Sequence, residues 1–367
     1  MKLRKLLLWS LVLAGVGLTA CGNTATEEKP ATAEAQEQTI EKDALEGTVG
    51  EIKKGTFTTD VDMSKYDKGK VVRLWVPIPQ TNGYQTIENF NYDLDDTHAK
   101  AEVAKDEHGN EALYVEWDKE AADRKVTITY DAGRAERLRP ELVEKQGEAK
   151  EDLSPYLSAS SMMPIDGEVK ELADKITEGK TTQIDKAKAI YDWTVANMER
   201  DDSVIGCGLG NVPELLEVSK GKCTDIHSVY TALNRAAGIP TREIFGIRMS
   251  KDKEADVTKS QHCWTEFYLE GTGWVAADPA DVLKAVLTNK WDKEQNETKE
   301  LQDYFWGNLD NIRVGLAQVR DITLNPKQAG DPLNNFGYPY AEVDDKPVDC
   351  YQPDEFIYKI NYKDIAE

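Results

Sequence analysis

The sequence predicts an α+β protein: a β-sandwich-like part over residues 47–150, then helices packed on an antiparallel sheet over residues 151–367. Three observations predict it. Before residue 131, β-rich runs are bounded by turn residues, and one of them alternates with period two. Between residues 169 and 237 the apolar positions recur at spacings of three and four, the helical period. Past residue 241 the strand pattern returns. Helices followed by strands suit a layer of helices on one side of an antiparallel sheet.

The first residues stand apart from any fold. Lys2, Arg4 and Lys5 make a basic start, and Leu6 to Gly17 is almost wholly apolar but short for a spanning helix. Leu18-Thr19-Ala20-Cys21 follows and resembles the lipobox of bacterial lipoproteins. That resemblance implies a leader over residues 1–20, cleavage before Cys21 and lipidation of its thiol. The protein is then expected outside the cytoplasm, held by lipid to the cell membrane or the outer membrane. Residues 21–46 are rich in Thr, Ala, Glu and Gln and cannot bury enough apolar surface to offset chain entropy, so they read as a disordered tether.

In the β-rich part, residues 71–79, 112–117 and 125–130 are the clearest strands, with turns at Asn82-Gly83 and His108-Gly109-Asn110. Helices are expected over Val169 to Ile176, Ile184 to Met198 and Cys223 to Ala237, with a Gly-rich stretch from Gly206 to Gly210. Strands are expected at Thr241 to Met249, Cys263 to Leu269 and Trp274 to Ala277, then a surface helix over Asp281 to Leu287. Phe356 to Ile360 reads as a closing strand, and no internal repeat is visible.

A formal net charge of −22 argues against binding nucleic acid, which needs clustered Lys and Arg on phosphates. Four cysteines follow Cys21: Cys207, Cys223, Cys263 and Cys350. If Cys223 is kept free for chemistry, at most one bridge forms among the rest. Cys207 with Cys350 is the favoured pair, because Cys263 sits beside a candidate catalytic His.

Cys223 follows Gly221-Lys222 and opens a helix. Unpaired N–H groups and the helix dipole there stabilise an anion and lower a thiol pKa. Gly221 is expected to let a substrate carbonyl approach the backbone. A buried, inert Cys would occupy the same kind of position. A thiol nucleophile needs a base and a group that orients it. His98 and His108 lie beside turn residues in the β-rich part, which leaves His227 and His262. His262 begins a strand and Asp278-Pro279 ends the next, with a short hairpin connection between them. His262 and Asp278 are therefore expected together at one end of two paired strands, with the carboxylate holding the ring by its Nδ1–H. His227, one turn beyond Cys223, with Gln261 and Trp264 beside His262, are expected supports of that group.

Four motifs now stand in order: Gly221-Lys222-Cys223-Thr224-Asp225, Ala236-Ala237-Gly238-Ile239-Pro240-Thr241-Arg242, His262-Cys263-Trp264-Thr265-Glu266, and Gly273-Trp274-Val275 with Asp278-Pro279. Together they resemble the core of the transglutaminase-like superfamily over residues 184–283, and more loosely to Ile360. The resemblance implies a papain-like arrangement with Cys223 as nucleophile, His262 as base and Asp278 as orienting carboxylate. It implies acyl transfer from a peptide or protein amide through a thioester. Water as acceptor makes a peptidase or amidase, and an amine makes a cross-linker. No cofactor is implied, and no EF-hand loop calls for calcium. Cys263 departs from the commoner small residue between His and Trp. The oxyanion hole is expected at the Cys223 backbone N–H, with Gln261 and Asn211 both open as side-chain donors.

Two other readings use the same residues. Cys223, His227, His262 and Cys263 have zinc-ligand chemistry, but adjacent strand residues face opposite ways, so His262 and Cys263 do not readily reach one ion. A binding module could also keep the fold without the reaction.

Overall fold

The computed structural model describes residues 49–94, 97–145, 149 and 151–365. The leader, Cys21 and the tether lie outside the described residues. Six strands come first: β1 (Val49–Asp62), β2 (Val72–Ile78), β3 (Gln85–Asp93), β4 (Ala99–Lys105), β5 (Glu111–Trp117) and β6 (Lys125–Arg137). Next come α1 (Gly167–Ile176), α2 (Gln183–Asn197), β7 (Glu199–Arg200), α3 (Val212–Val218), β8 (Lys220–Gly221) and α4 (Cys223–Ala236). The chain continues through β9 (Thr241–Arg248), β10 (Glu254–Asp256), β11 (Gln261–Leu269), β12 (Gly273–Ala277), α5 (Pro279–Asn289) and α6 (Asn296–Tyr304). It closes with β13 (Trp306–Gly307), β14 (Arg313–Gln318), β15 (Tyr340–Val343), β16 (Lys346–Val348) and β17 (Ile357–Asp364).

Two five-stranded sheets, ordered β10-β17-β1-β6-β3 and β16-β15-β2-β5-β4, make the sandwich. Leu74, Val115, Trp117, Val126 and Ile128 are buried in one core cluster drawn from both. Residue 150 does not divide the sheets, because β10, β15, β16 and β17 all lie beyond it in sequence and complete the sandwich. The β1 pattern explains why it escapes a sequence reading: only its second half, through Phe57, Thr59 and Val61, alternates into the core.

A third antiparallel sheet, β13-β12-β11-β9-β14, carries the helical layer. At its centre is α4, all fourteen of whose residues are buried. It packs against α1, α2, α3, α5, β9 and β11. Its apolar side chains Ile226, Val229, Tyr230 and Leu233 are fully enclosed, each worth about 1.5–3 kcal/mol in burial. Some of its polar side chains find backbone partners, while Tyr230 Oη and Thr231 Oγ1 have none among the described residues. Arg235 donates to Thr241 O at 2.8 Å and Ser158 O at 2.7 Å, and Asn234 donates to Tyr230 O at 2.8 Å. A helix enclosed on all sides holds its first residue still, and that residue is Cys223. α5 is less superficial than its sequence suggests, since Pro279 to Leu283 are buried and only its later turns are exposed.

Candidate active site

Cys223 stands at the first position of α4, with Lys222 as the extended N-cap residue. Asp225 secures this start. Its Oδ2 accepts the Lys222 N–H at 2.9 Å, and its Oδ1 accepts the Gly210 N–H at 2.8 Å. The Gly-rich stretch is thereby laid over the helix N-terminus. Gly208 has φ +93° and a side chain there would strike the Asp225 carboxylate. Gly221 has a related reason and not the one expected. A Cβ on it would lie 2.4 Å from Asp225 Cβ, so the space it frees is taken by the capping carboxylate rather than left to substrate.

His262 comes from β11 and Asp278 from the junction of β12 and α5. β11 pairs antiparallel with β12, from Thr265 opposite Ala277 to Leu269 opposite Gly273, which brings the start of β11 beside the end of β12. His262 Nε2 donates to Asp278 Oδ2 at 2.7 Å. The carboxylate therefore holds Nε2, not Nδ1 as the sequence argument supposed, and Nδ1 is the ring nitrogen left for the thiol. Asp278 is also the N-cap of α5, accepting the Asp281 N–H at 2.9 Å, with Pro279 in the first helical turn. The turn-forming and ring-holding roles of this Asp coexist.

Around this pair is an ionic network, fully buried at Arg313 and Asp278 and part-exposed at Arg248 and Asp310. Arg313 donates to both Asp278 and Asp281, and its Nε to Asp310 at 2.9 Å; Arg248 meets Asp281 at 2.6 Å. His227 also reaches Asp278, with Nε2 3.1 Å from Oδ1, while its Nδ1 lies 3.2 Å from Cys263 Sγ. His227 is thus a second imidazole in contact with the carboxylate. Burial opposes the charge on Asp278, but His262, Arg313 and His227 outweigh it and hold its pKa well below the usual carboxylate range. For His262, burial and the Arg248 charge push the imidazole pKa down, and Asp281 and Asp278 reverse this to a net rise.

The thiol shifts the other way. Hydrogen bonds from the Cys207 and Cys263 thiols, then the hydrogen bond and charge of His262, overcome burial and hold the Cys223 pKa well below the ordinary thiol value. The neighbours give up the corresponding ease of ionisation. The Cys207 pKa is raised by its bond to Cys223, and the Cys263 pKa by burial and by the same partner. Cys223 and His262 line one cleft of about 590 Å³, together with Cys207, Gln261, Tyr338 and Cys350. A depressed thiol beside an elevated imidazole fits a thiolate–imidazolium pair poised for nucleophilic attack.

The remaining sequence expectations divide. Gln261 lines the cleft, and among the described residues its buried Nε2 has no hydrogen-bond partner. Asn211 is the N-cap residue of α3 and is not among the cleft-lining residues. Trp264 lines a different cavity. The expected Cys207–Cys350 bridge is not formed, and Cys207, Cys223, Cys263 and Cys350 are all free thiols. Cys207 is instead engaged as a thiol, accepting from Tyr338 Oη at 3.1 Å. Cys263 faces α4, contacting Thr224 and His227, while His262 faces Asp278. The four proposed zinc ligands therefore do not converge. Among the described residues the ligating atoms that do fall together belong to His262, Asp278 and Asp281, and Arg313 and Arg248 already take up their carboxylates. Arg313 was missed by sequence reasoning, which had no signal to separate it from any other strand Arg.

Comparisons with known proteins bear on the family and the fold. Residues 170–279 match the family model of the transglutaminase-like superfamily. An uncharacterized protein of Haemophilus influenzae is 39% identical over 329 residues, covering 83% of this chain and 89% of its own. Uncharacterized protein YebA of Bacillus subtilis is 26% identical over 259 residues, covering 62% of this chain but 35% of its own. Among solved structures, a candidate cysteine protease from Cytophaga hutchinsonii superposes with a TM-score of 0.55 at 14% identity, over 87% of this chain and 93% of that one. At that identity the likeness speaks for the fold.

Proposed function

The chain belongs to the transglutaminase-like superfamily, and from that premise we propose that it is a thiol enzyme of the cell envelope that hydrolyses peptide or protein amide bonds through a Cys223 thioester. The observation that carries the reading is the alignment of three groups. Cys223 opens a buried helix, His262 shares its cleft, and Asp278 holds the far nitrogen of His262 at 2.7 Å. In this reading the Cys223 thiolate attacks the amide carbonyl, the His262 imidazolium protonates the leaving amine, and His262 then takes a proton from water to release the acyl group. The Cys223 backbone N–H and the free Gln261 amide stabilise the oxyanion.

Hydrolysis is favoured over cross-linking by the charge of the cleft. Arg200, Lys222, Arg248, Lys259 and Lys284 line it, and no Asp or Glu does. Arg200 and Arg248 have carboxylate partners, whereas among the described residues no carboxylate pairs with the three Lys. In a chain of net charge −22 this is a local reversal of sign. It repels a protonated amine acceptor and attracts acidic peptides. The envelope location rests on the basic start, apolar run and Leu18-Thr19-Ala20-Cys21 of the sequence, with lipid on Cys21 as the membrane link.

The test is incubation of the chain with envelope proteins and acidic peptides in the presence of a labelled amine. Cleavage without label, abolished in Cys223→Ala, is the expected result. Label incorporated into protein would move the assignment to cross-linking. Activity persisting in Cys223→Ala would remove the thioester altogether.

A further inference from the structure

A second cavity lies at the other end of β11, where the sandwich meets the catalytic sheet. Its volume is about 530 Å³, and no residue lines both it and the cleft of Cys223. Strand alternation places Trp264 and Glu266 on one face of β11, and both line the cavity. β6 brings Arg134 and Arg137 over it, and β9 brings Arg242. Three guanidinium groups thus share a lining with one carboxylate, a surplus of two positive charges.

The pairing within the cavity is uneven. Glu266 is saturated: Oε1 accepts from Arg137 Nη1 at 2.5 Å, and Oε2 from Arg242 Nε at 2.9 Å and Nη2 at 2.6 Å. Arg137 and Arg242 also lie over the faces of Tyr84 and Trp274, at 4.3 and 4.0 Å from the ring centres. Arg134 shares the ring faces but not the carboxylate. It is 3% exposed, its buried Nε has no acceptor, and among the described residues its guanidinium enters no hydrogen bond or ion pair, the charge of Glu266 acting on it only from a distance. Its neighbours are two ring faces, Trp264 at 5.7 Å and Tyr84 at 6.0 Å. Burial and the Arg137 charge hold its pKa down to about 10, so it stays cationic at neutral pH. Beside it the buried Trp264 Nε1–H also lacks an acceptor. A buried charge without a partner is costly, and folded proteins rarely keep one for structural reasons alone. Here two adjacent donors want the same thing, an anion.

We propose that this cavity binds a carboxylate, held in the fork of Arg134 with the Trp264 indole N–H as a further donor. A planar, singly charged group fits one free guanidinium, whose parallel N–H bonds match the two oxygens of a carboxylate. Free small acids and the C-terminus of a peptide share this chemistry. The site is independent of any reaction at Cys223.

Isothermal titration calorimetry of the full chain at low salt tests it, with glutarate, N-acetylalanine, N-acetylalaninamide and inorganic phosphate as probes. Binding of glutarate and N-acetylalanine alike identifies free small acids as ligands. Binding of N-acetylalanine alone identifies a peptide terminus. Either result supports the site, provided the amide does not bind. Arg134→Met weakens binding at least tenfold and does not lower the thermal midpoint, because it removes an unpaired buried charge. Trp264→Phe keeps an aromatic face but removes the pyrrole ring with its N–H, and weakens binding severalfold. The proposal is overturned if neither carboxylate binds, if the amide or phosphate binds as well as the carboxylates, or if affinity is unchanged in both variants.

Discussion

The two ends of β11 are built from the same material and reach different chemistry. At one end His262 meets Asp278, a buried carboxylate backed by Arg313. At the other, Glu266 is a buried carboxylate clamped by Arg137 and Arg242. Both carboxyls are held ionised against burial by neighbouring cations. The difference lies in what the cations are. Glu266 faces only guanidinium groups, which keep their protons at every working pH, so its cluster is fixed. Asp278 faces two imidazoles as well, and an imidazole can pass its proton on. A buried ion pair becomes catalytic machinery when one member can titrate next to a nucleophile.

Asp278→Asn tests this most severely. The amide keeps the shape and much of the hydrogen bonding but removes the charge that holds the His262 proton. Turnover is expected to fall by roughly 10³-fold or more. Retention of near-normal turnover would reduce the carboxylate to a helix cap. The counterpart is Glu266→Ala, which leaves Arg137 and Arg242 uncompensated. It is expected to cost about 3–5 kcal/mol of stability, read by urea unfolding, while Cys223 alkylation keeps its pH midpoint. The same residue makes an acid-limb prediction. Burial raises the Glu266 pKa, but Arg242 and Arg137 bring it from 4.5 to about 2. A depressed carboxylate stabilises the fold fully above its unfolded pKa, and that contribution is lost as pH falls through the folded value. Wild-type stability should therefore decline from pH 4.5 towards 2, with a shallower slope in Glu266→Ala.

Gln261→Ala probes the cleft end alone. If its free amide serves the oxyanion, turnover falls by about 10²-fold. Alkylation of Cys223, which forms no oxyanion, keeps its rate. Equal losses in both assays would assign Gln261 to holding the thiol instead.

How legible each end was follows from the kind of signal it leaves. Cys223, His262 and Asp278 could be read because each sits at a boundary of an element, and boundaries leave marks: Gly221 before α4, the hairpin after β11, Pro279 after Asp278. Their approach follows from antiparallel pairing alone. Arg313, from β14, is brought in through β9, a contact that no local pattern announces. The same holds for the sandwich, whose β15 and β17 return from the far end of the chain to pair with β2 and β1. Trp264 and Arg134 were invisible as a pair because their cavity exists only once the sandwich is laid against β11. Gly221 was read for substrate access, and the structure assigns its smallness to Asp225.

The finest contrast is between the two thiols that flank Cys223. Each has one proton to donate. The Cys207 thiol has few competing acceptors, the nearest being Gln261 O at 3.6 Å, and it is the largest influence on the Cys223 pKa. The Cys263 thiol also faces His227 Nδ1 at 3.2 Å. In the tautomer that gives its Nε2–H to Asp278, His227 Nδ1 is an acceptor that draws the Cys263 proton away from Cys223. A thiol that donates to a thiolate lowers its pKa, so removing the donor raises it. In Cys207→Ala the midpoint of Cys223 alkylation against pH should rise by about one unit or less, the worth of one hydrogen bond. At a pH below the new midpoint, alkylation is correspondingly slower. Cys263→Ala should move the midpoint less. If Cys263→Ala shifts it more, then the His227 proton is not on Nε2, and Asp278 holds one imidazole where the geometry has two.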